Sequence, residues 1–236
     1  MKTTLIVPTM NEIEGVKAVM PRIKREWVDQ IIVVDGNSTD GTLEYLKERG
    51  FFIISQKKKG LRNAYLETLP YVEGDAVITF SPDGNSIPEL IPPLVAKMNE
   101  GYDMVIVSRY LENAKSEDDT LLTALANKVF TLTINLFFGG KYTDSMVIYR
   151  GYNKNLIPEL DLDKDSSYKL GEKLIGKVMS WEMLLSIRAA KRKLKVAEIP
   201  GDEPPRTDGM AKMQWRWGFA YILQVFEEIF RWRGRA

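Results

Sequence analysis

Val77-Ile78-Thr79-Phe80-Ser81-Pro82-Asp83-Gly84-Asn85-Ser86 decides how the rest of the chain is read. With Ala76, its first half is a short apolar run of strand composition. The run stops, and a lone carboxylate, a glycine, an asparagine and a serine follow. These are turn residues, and a strand closing in a turn accounts for them. A chemical reading stands beside that one. In an open α/β sheet, ligands bind just beyond the carboxyl ends of the strands. Asp83 and Asn85, two residues apart, both offer oxygen to one hard cation. A metal-bound phosphate fits such a strand end.

The flanking sequence supplies the sheet. Residues 3–7, 30–35, 51–55 and 103–108 are apolar runs that read as strands, as does 76–80. Between them, residues 11–25, 42–48, 57–69 and 87–99 read as helices, with Pro21 a blemish and Pro88 tolerated in a first turn. This alternation argues for parallel βαβ units. Polar turns at 8–12, 35–40, 81–86 and 108–110 then gather along one sheet edge. The second half is less regular. It offers an acidic loop at 112–120, a helix at 121–138, a short strand at 146–150 and a charged connection at 156–176. A helix at 178–193, a strand at 194–199, a proline-rich loop at 200–209 and an aromatic helix at 213–232 complete it. The expected class is α/β: a mostly parallel, Rossmann-like sheet with helices on both faces and a C-terminal amphipathic helix. The expected division is a domain over 1–205 and a basic aromatic helix over 206–236.

Composition narrows the chemistry. The 236 residues are 44% hydrophobic, enough for a sizeable core, and the net charge of +1 argues against a nucleic-acid binder. There is no cysteine and no histidine. That removes disulfides, thiolate zinc sites, cysteine nucleophiles and the commonest general base. Any metal is held by oxygen, which favours Mg²⁺, Mn²⁺ or Ca²⁺. The first apolar run, 5–8, is too short for a signal peptide. Residues 121–138, interrupted by Asn127, Lys128 and Asn135, read as too polar for a membrane span. No Gly-x-Gly-x-x-Gly follows the first strand, which disfavours a dinucleotide oxidoreductase.

Several patterns, in order, resemble family 2 glycosyltransferases. Val7-Pro8-Thr9-Met10-Asn11-Glu12 is similar to the family's opening nucleotide-binding segment. Val33-Val34-Asp35-Gly36-Asn37-Ser38-Thr39-Asp40-Gly41-Thr42 is similar to its second signature, and Lys59-Gly60-Leu61-Arg62-Asn63-Ala64 to its third. The stretch from Thr79 to Pro88-Glu89 stands where the family has its DxD motif. Val107-Ser108-Arg109-Tyr110 and the segment from Asp144 to Arg150 resemble elements of the dolichyl- and polyprenyl-phosphate sugar synthase branch. The resemblance spans about residues 3–212. Three departures stand out. Ser81 replaces the first Asp of DxD, Gly36 replaces a frequent acidic residue, and Met146-Val147-Ile148-Tyr149 lacks the glycine expected before Phe-Arg.

The resemblance implies a GT-A fold and an inverting displacement at the anomeric carbon of a nucleotide sugar. It implies Mg²⁺ or Mn²⁺ held by Asp83 and Asn85, with Ser81 contributing a hydroxyl. Pro8, Thr9, Glu12, Asp35, Asn37, Arg62, Asn63, Ser81, Pro82 and Asp83 are the implied donor-binding residues. Arg109, Arg150, Arg206 and Lys212 are the cations expected at a lipid-phosphate acceptor, which is already anionic and needs no base. A hydroxyl acceptor would need a carboxylate base, and Asp144 and Glu182 are then the candidates.

From Arg206 onward six basic and three acidic residues accompany Trp215, Trp217 and Trp232. An aromatic stripe is ordinarily a core contact or a contact between copies of the chain, but tryptophans this close to arginines shift the reading toward a membrane interface, which the helix over 121–138 could join. The expected enzyme is a hexosyltransferase, peripheral at the cytoplasmic membrane face. The competing readings are a soluble transferase acting on a glycan or small-molecule hydroxyl, and a nucleotide-binding module whose chemistry was lost with Ser81.

Overall fold

The computed structural model describes residues 1–207 and 215–230. Four parallel strands form one half of the sheet: β1 (Thr3–Thr9), β2 (Gln30–Asp35), β3 (Phe52–Ser55) and β4 (Ala76–Thr79). β1, β4 and most of β2 are buried on both faces, so their sequences run apolar without alternation. β5 (Met104–Ser108) and β7 (Val196–Pro200) pair in parallel. Between β4 and β5 lies β6 (Arg150–Asn153), antiparallel to both. The order is β3-β2-β1-β4-β6-β5-β7. Chain direction across the sheet reverses between β1 and β4, the switch point where open α/β sheets form a crevice.

β6 corrects the expected strand at 146–150, because the ladder starts where that run was expected to end. Arg150-Gly151-Tyr152-Asn153 has little strand propensity, and pairing on both sides sets it instead. Gly151 is required there: an added Cβ would lie 2.5 Å from Leu94 Cδ2 of α4 (Ile91–Asn99).

The helices form two layers. On one face, α1 (Ile13–Val19), α2 (Thr42–Glu48) and α4 bury Val16, Val19, Leu46, Ile91, Leu94 and Met98 against Leu5, Val7, Ile78 and Val105. α1 is shorter than expected, since Pro21 falls in a 3-10 turn over Met20–Arg22. On the other face lie α3 (Leu61–Thr68), α5 (Leu121–Phe138), α8 (Glu182–Lys191) and α9 (Trp215–Phe230). The charged connection folds as α6 (Leu156–Glu159), a 3-10 turn and α7 (Lys169–Ile175). α8 begins at Glu182, later than expected, and is buried through Ala190.

α5 has the expected bounds. A Thr120–Thr123 capping box starts it and left-handed Gly139 ends it. Its sidedness is inverted. Asn127, Thr131 and Ile134 face the protein, while Leu121, Leu122, Leu125, Val129, Leu132 and Leu136 are exposed. By length and composition it is long and apolar enough to cross a membrane, contrary to the sequence expectation.

α9 joins the same core through Ala220, Tyr221 and Val225. A buried ion pair, Arg188 Nη2 to Glu228 Oε1 at 2.7 Å, fastens it to α8. Phe219, Phe226 and Phe230 remain exposed on its outer side. Lys212, Arg231, Arg233 and Arg235, all expected to contribute charge here, lie outside the described residues.

Candidate active site

The loops after β1 and β2 are laced together by short polar side chains. Asn11, at positive φ, accepts from Thr39 N at 2.8 Å, and its own N–H donates to Ser38 Oγ at 2.9 Å. Asp40 accepts from Ile13 N and Thr42 N, each at 3.0 Å, which ties the starts of α1 and α2 together. Glu12 N donates to Thr42 Oγ1, and Asn37 Nδ2 donates to the Gln56 carbonyl. Pro8 is half-buried and Thr9 is buried. This lacing leaves Asp35 fully buried with one oxygen committed. Oδ2 accepts from Ser38 N at 3.0 Å, while Oδ1 and Thr9 Oγ1 have no partner. A buried carboxylate oxygen without a donor is costly unless a ligand supplies one.

The turn after β4 sits against α1. A Cβ on Gly15 would collide with the Pro82 carbonyl oxygen, so only glycine allows this approach. Asp83 is 7% exposed and Asn85 is 6% exposed. Burial raises the Asp83 carboxyl above the usual carboxylate range, with Arg206 and the Ser81 hydroxyl working the other way. Residues 200–207, after β7, cross this turn. Thr207 donates from N and Oγ1 to the Asp83 carbonyl at 3.2 and 3.1 Å. Arg206 Nε lies 3.4 Å from Asp83 Oδ2 and 3.0 Å from Asp118 Oδ2.

Beside it stands Arg109, at the end of β5. It grips Asp144 twice, Nε to Oδ2 at 2.6 Å and Nη2 to Oδ1 at 3.1 Å. It also reaches Glu203 at 3.1 Å and Asp119 at 3.6 Å. Burial alone would raise the Asp144 carboxyl, but the Arg109 guanidinium outweighs it and holds the group below its ordinary range. Asp144 also accepts from Asn127 Nδ2 of α5 at 3.2 Å. Glu203 accepts from Asn85 Nδ2 at 3.3 Å and from the Ser116 hydroxyl, and so joins the Asp83 turn to Arg109.

Asp83, Asn85, Arg109, Asp144 and Arg206 thus converge. Asp118, Asp119 and Glu203 belong to the same cluster and were not anticipated. Five carboxylates face two guanidiniums here. The donors are all oxygen, the kind that Mg²⁺ or Mn²⁺ takes, but among the described residues no three of these carboxylates converge as a metal cage, so a cation here would rest on Asp83 and Asn85 with few further protein ligands.

Four expected site residues are elsewhere. Arg62 is 2% exposed, stacks on Tyr168 and binds Glu172 at 2.6 Å and Asp165 at 2.7 Å. It fastens α3 to the α7 region, with both terminal guanidinium nitrogens committed to these two carboxylates. Its neighbour Asn63 donates to the Lys59 carbonyl at 2.8 Å. Arg150 is completely buried and donates to the Ser145, Val147 and Glu182 carbonyls and to Ser186 Oγ. All its guanidinium nitrogens are occupied, so it braces residues 145–147 against α8 instead of meeting an acceptor phosphate. Glu182 is 3% exposed and accepts from Tyr65 Oη at 3.0 Å within the aromatic core around Trp181, which stacks on Tyr65. It is no candidate base. Asp144, clamped by Arg109, is no better placed for that task.

A family model for glycosyl transferase family 2 matches residues 4–160. The chain is 24% identical over 206 residues to glycosyltransferase AglJ of Haloferax volcanii, across 87% of this chain and 64% of that protein. It is 25% identical over 244 residues to a dolichol-phosphate mannosyltransferase of Pyrococcus furiosus, across 99% of this chain and 65% of that protein. The chain therefore spans just under two-thirds of the length of these relatives. Glucosyl-3-phosphoglycerate synthase from Mycobacterium tuberculosis, solved with Mn²⁺, UDP and phosphoglyceric acid, has the same fold. The TM-score is 0.71 at 17% identity, covering 97% of this chain and 78% of that one. The sheet is thus that of a GT-A fold. Since the family model takes in both laced loops, the Asp83 turn and Arg109, the chain belongs to glycosyl transferase family 2.

Proposed function

We propose that this chain is a metal-dependent, inverting glycosyltransferase that moves a hexose from a nucleotide sugar to a polyprenyl-type lipid phosphate. The observation that carries the lipid part is α5. Its leucines face outward, and its inward Asn127 bonds Asp144, which holds Arg109. The same helix thus carries an apolar outer face and, on its inner face, touches the residue that holds the candidate acceptor cation. The dolichol-phosphate mannosyltransferase likeness supports the same acceptor class.

The residues divide the work as follows. Asp35 Oδ1 accepts an N–H of the donor base, with Thr9 Oγ1 beside it. Asp83 and Asn85 hold the cation, with Ser81 as a weaker oxygen donor. When bound, the cation supplies Lewis-acid neutralisation of the leaving diphosphate. Arg109, anchored through Asp144, holds the anionic acceptor, whose phosphate takes the donors that Glu203 occupies at rest. The acceptor oxygen is already charged, so a site without a free base is adequate.

The domain over 1–205 carries this chemistry, and α9 with α5 forms the membrane-facing side. An exposed apolar surface of this extent marks an interaction site. Exposed Lys128, Lys169 and Lys173 suit an anionic leaflet, the cytoplasmic membrane face.

Vesicle flotation tests the membrane contact. The chain is expected to float with phosphatidylglycerol-containing vesicles. Leu125→Glu combined with Leu132→Glu should weaken partitioning by about tenfold or more, since each buried leucine contributes about 1.5–3 kcal/mol. Both side chains are exposed, so the fold should survive. Unchanged flotation of the double variant would remove α5 from the membrane contact.

A further inference from the structure

Ser81 leaves the strand-end turn with a single carboxylate, Asp83. A second one comes from elsewhere in the chain. Asp118, in the loop between β5 and α5, shares one positive group with Asp83. Arg206 Nε lies 3.0 Å from Asp118 Oδ2 and 3.4 Å from Asp83 Oδ2. The Arg206 backbone N–H also donates to Asp118 Oδ1, at 3.4 Å. The guanidinium therefore does what a bound cation would do, which is to hold two carboxylates from separate elements together.

The contact is electrostatic more than directional. Arg206 Nε is buried, yet its geometry to either carboxylate is not that of a hydrogen bond. Such a nitrogen is held by charge and not by a directed bond. The loop that carries it is fixed independently of it. Thr207 bonds the Asp83 carbonyl, Glu203 N donates to the Lys115 carbonyl, and Glu117 N donates to the Glu203 carbonyl, each of the last two at 2.8 Å. The side chain can therefore leave while the backbone stays.

We infer that Arg206 is a built-in stand-in for the divalent cation, and that Asp118 supplies the second carboxylate that Ser81 lacks. A divalent ion attracts two carboxylates more strongly than a guanidinium does, and the displaced Arg206 becomes free to meet an anionic substrate. This rests on the reading that Asp83 holds a metal ion, and goes beyond it in assigning Asp118 and the exchange with Arg206.

Mn²⁺ binding to the full chain, without donor or acceptor, tests the assignment by electron paramagnetic resonance of free Mn²⁺. Arg206→Gln should tighten Mn²⁺ by at least about tenfold, because a like charge a few ångströms away is removed. Asp118→Asn should weaken it by a similar factor. Both positions are near the surface, and thermal unfolding confirms that each variant is folded. If wild type binds Mn²⁺ and loses it on Asp83→Asn, while Arg206→Gln and Asp118→Asn stay within twofold of wild type, this inference falls and the Asp83 reading stands. If neither wild type nor Arg206→Gln binds Mn²⁺, both fall.

Discussion

Asp83→Ala is expected to lower kcat/KM for sugar transfer by about a thousandfold or more, the effect of losing roughly 4 kcal/mol of transition-state stabilisation. The expectation follows from placement. Asp83 is the only carboxylate in the turn after β4, it is nearly buried, and it stands at the switch point of the sheet. The fold should survive, because Thr207 fastens the 200–207 loop to the Asp83 backbone carbonyl and, of that loop's contacts, only the longer Arg206 one, at 3.4 Å, is lost with the side chain. Steady-state assay of the variant against wild type, with unfolding temperature as control, checks this. Activity within a few-fold of wild type in a folded Asp83→Ala protein would remove the metal assignment.

Arg109 carries the second large effect, on stability and on turnover together. Asp144 is fully buried, and Arg109 is the one cation in direct ion-pair contact with it among the described residues. Removing one member of a buried pair strands the other, which costs about 3–5 kcal/mol. Arg109→Ala is therefore expected to lower the unfolding temperature by about 10 °C, at about 2–4 °C per kcal/mol for a chain of this size. Arg109→Lys separates the two roles. It keeps a charge for Asp144, so most of the stability should return. It cannot grip Asp144 in two-pronged fashion while facing Glu203, so the acceptor KM should still rise by about tenfold or more. A lysine variant with wild-type acceptor KM would show that Arg109 serves the fold alone.

How much of this could be read in the sequence depended on how local the cause was. The strands β1 to β5 are apolar runs bounded by turn residues, and they lie close to where those runs are. α5 was legible to the residue because Thr120 and Gly139 cap it. β6 was not, since Arg150-Gly151-Tyr152-Asn153 owes its strand form to neighbours more than seventy residues away on one side and nearly fifty on the other. The inverted face of α5 was also hidden, because hydropathy gives periodicity and not which side meets the protein.

The site shows the same division. Asp35 ends β2, Arg109 directly follows β5, and Asp83 and Asn85 lie in the turn after β4. The region beyond a strand end in an α/β sheet is where chemistry is looked for. Arg62, Arg150 and Glu182 have the residue types of a site but are held in the interior by partners distant in sequence: Glu172, Ser186 and Tyr65. Asp118, Asp119 and Glu203 looked like ordinary loop charge. The bridge between residues 116 and 203, with Thr207 on the Asp83 carbonyl and Asn85 on Glu203, folds those loops over the Asp83 turn.

The central claim is transfer to a lipid phosphate under control of a divalent cation. Nucleoside diphosphate release from a panel of nucleotide sugars tests it most directly, with polyprenyl phosphate or a soluble phosphate such as phosphoglyceric acid as acceptor, with and without Mn²⁺. Release with at least one donor only when Mn²⁺ and polyprenyl phosphate are both present is the predicted result. Equal release with the soluble acceptor, or release undiminished when the cation is chelated, would contradict it.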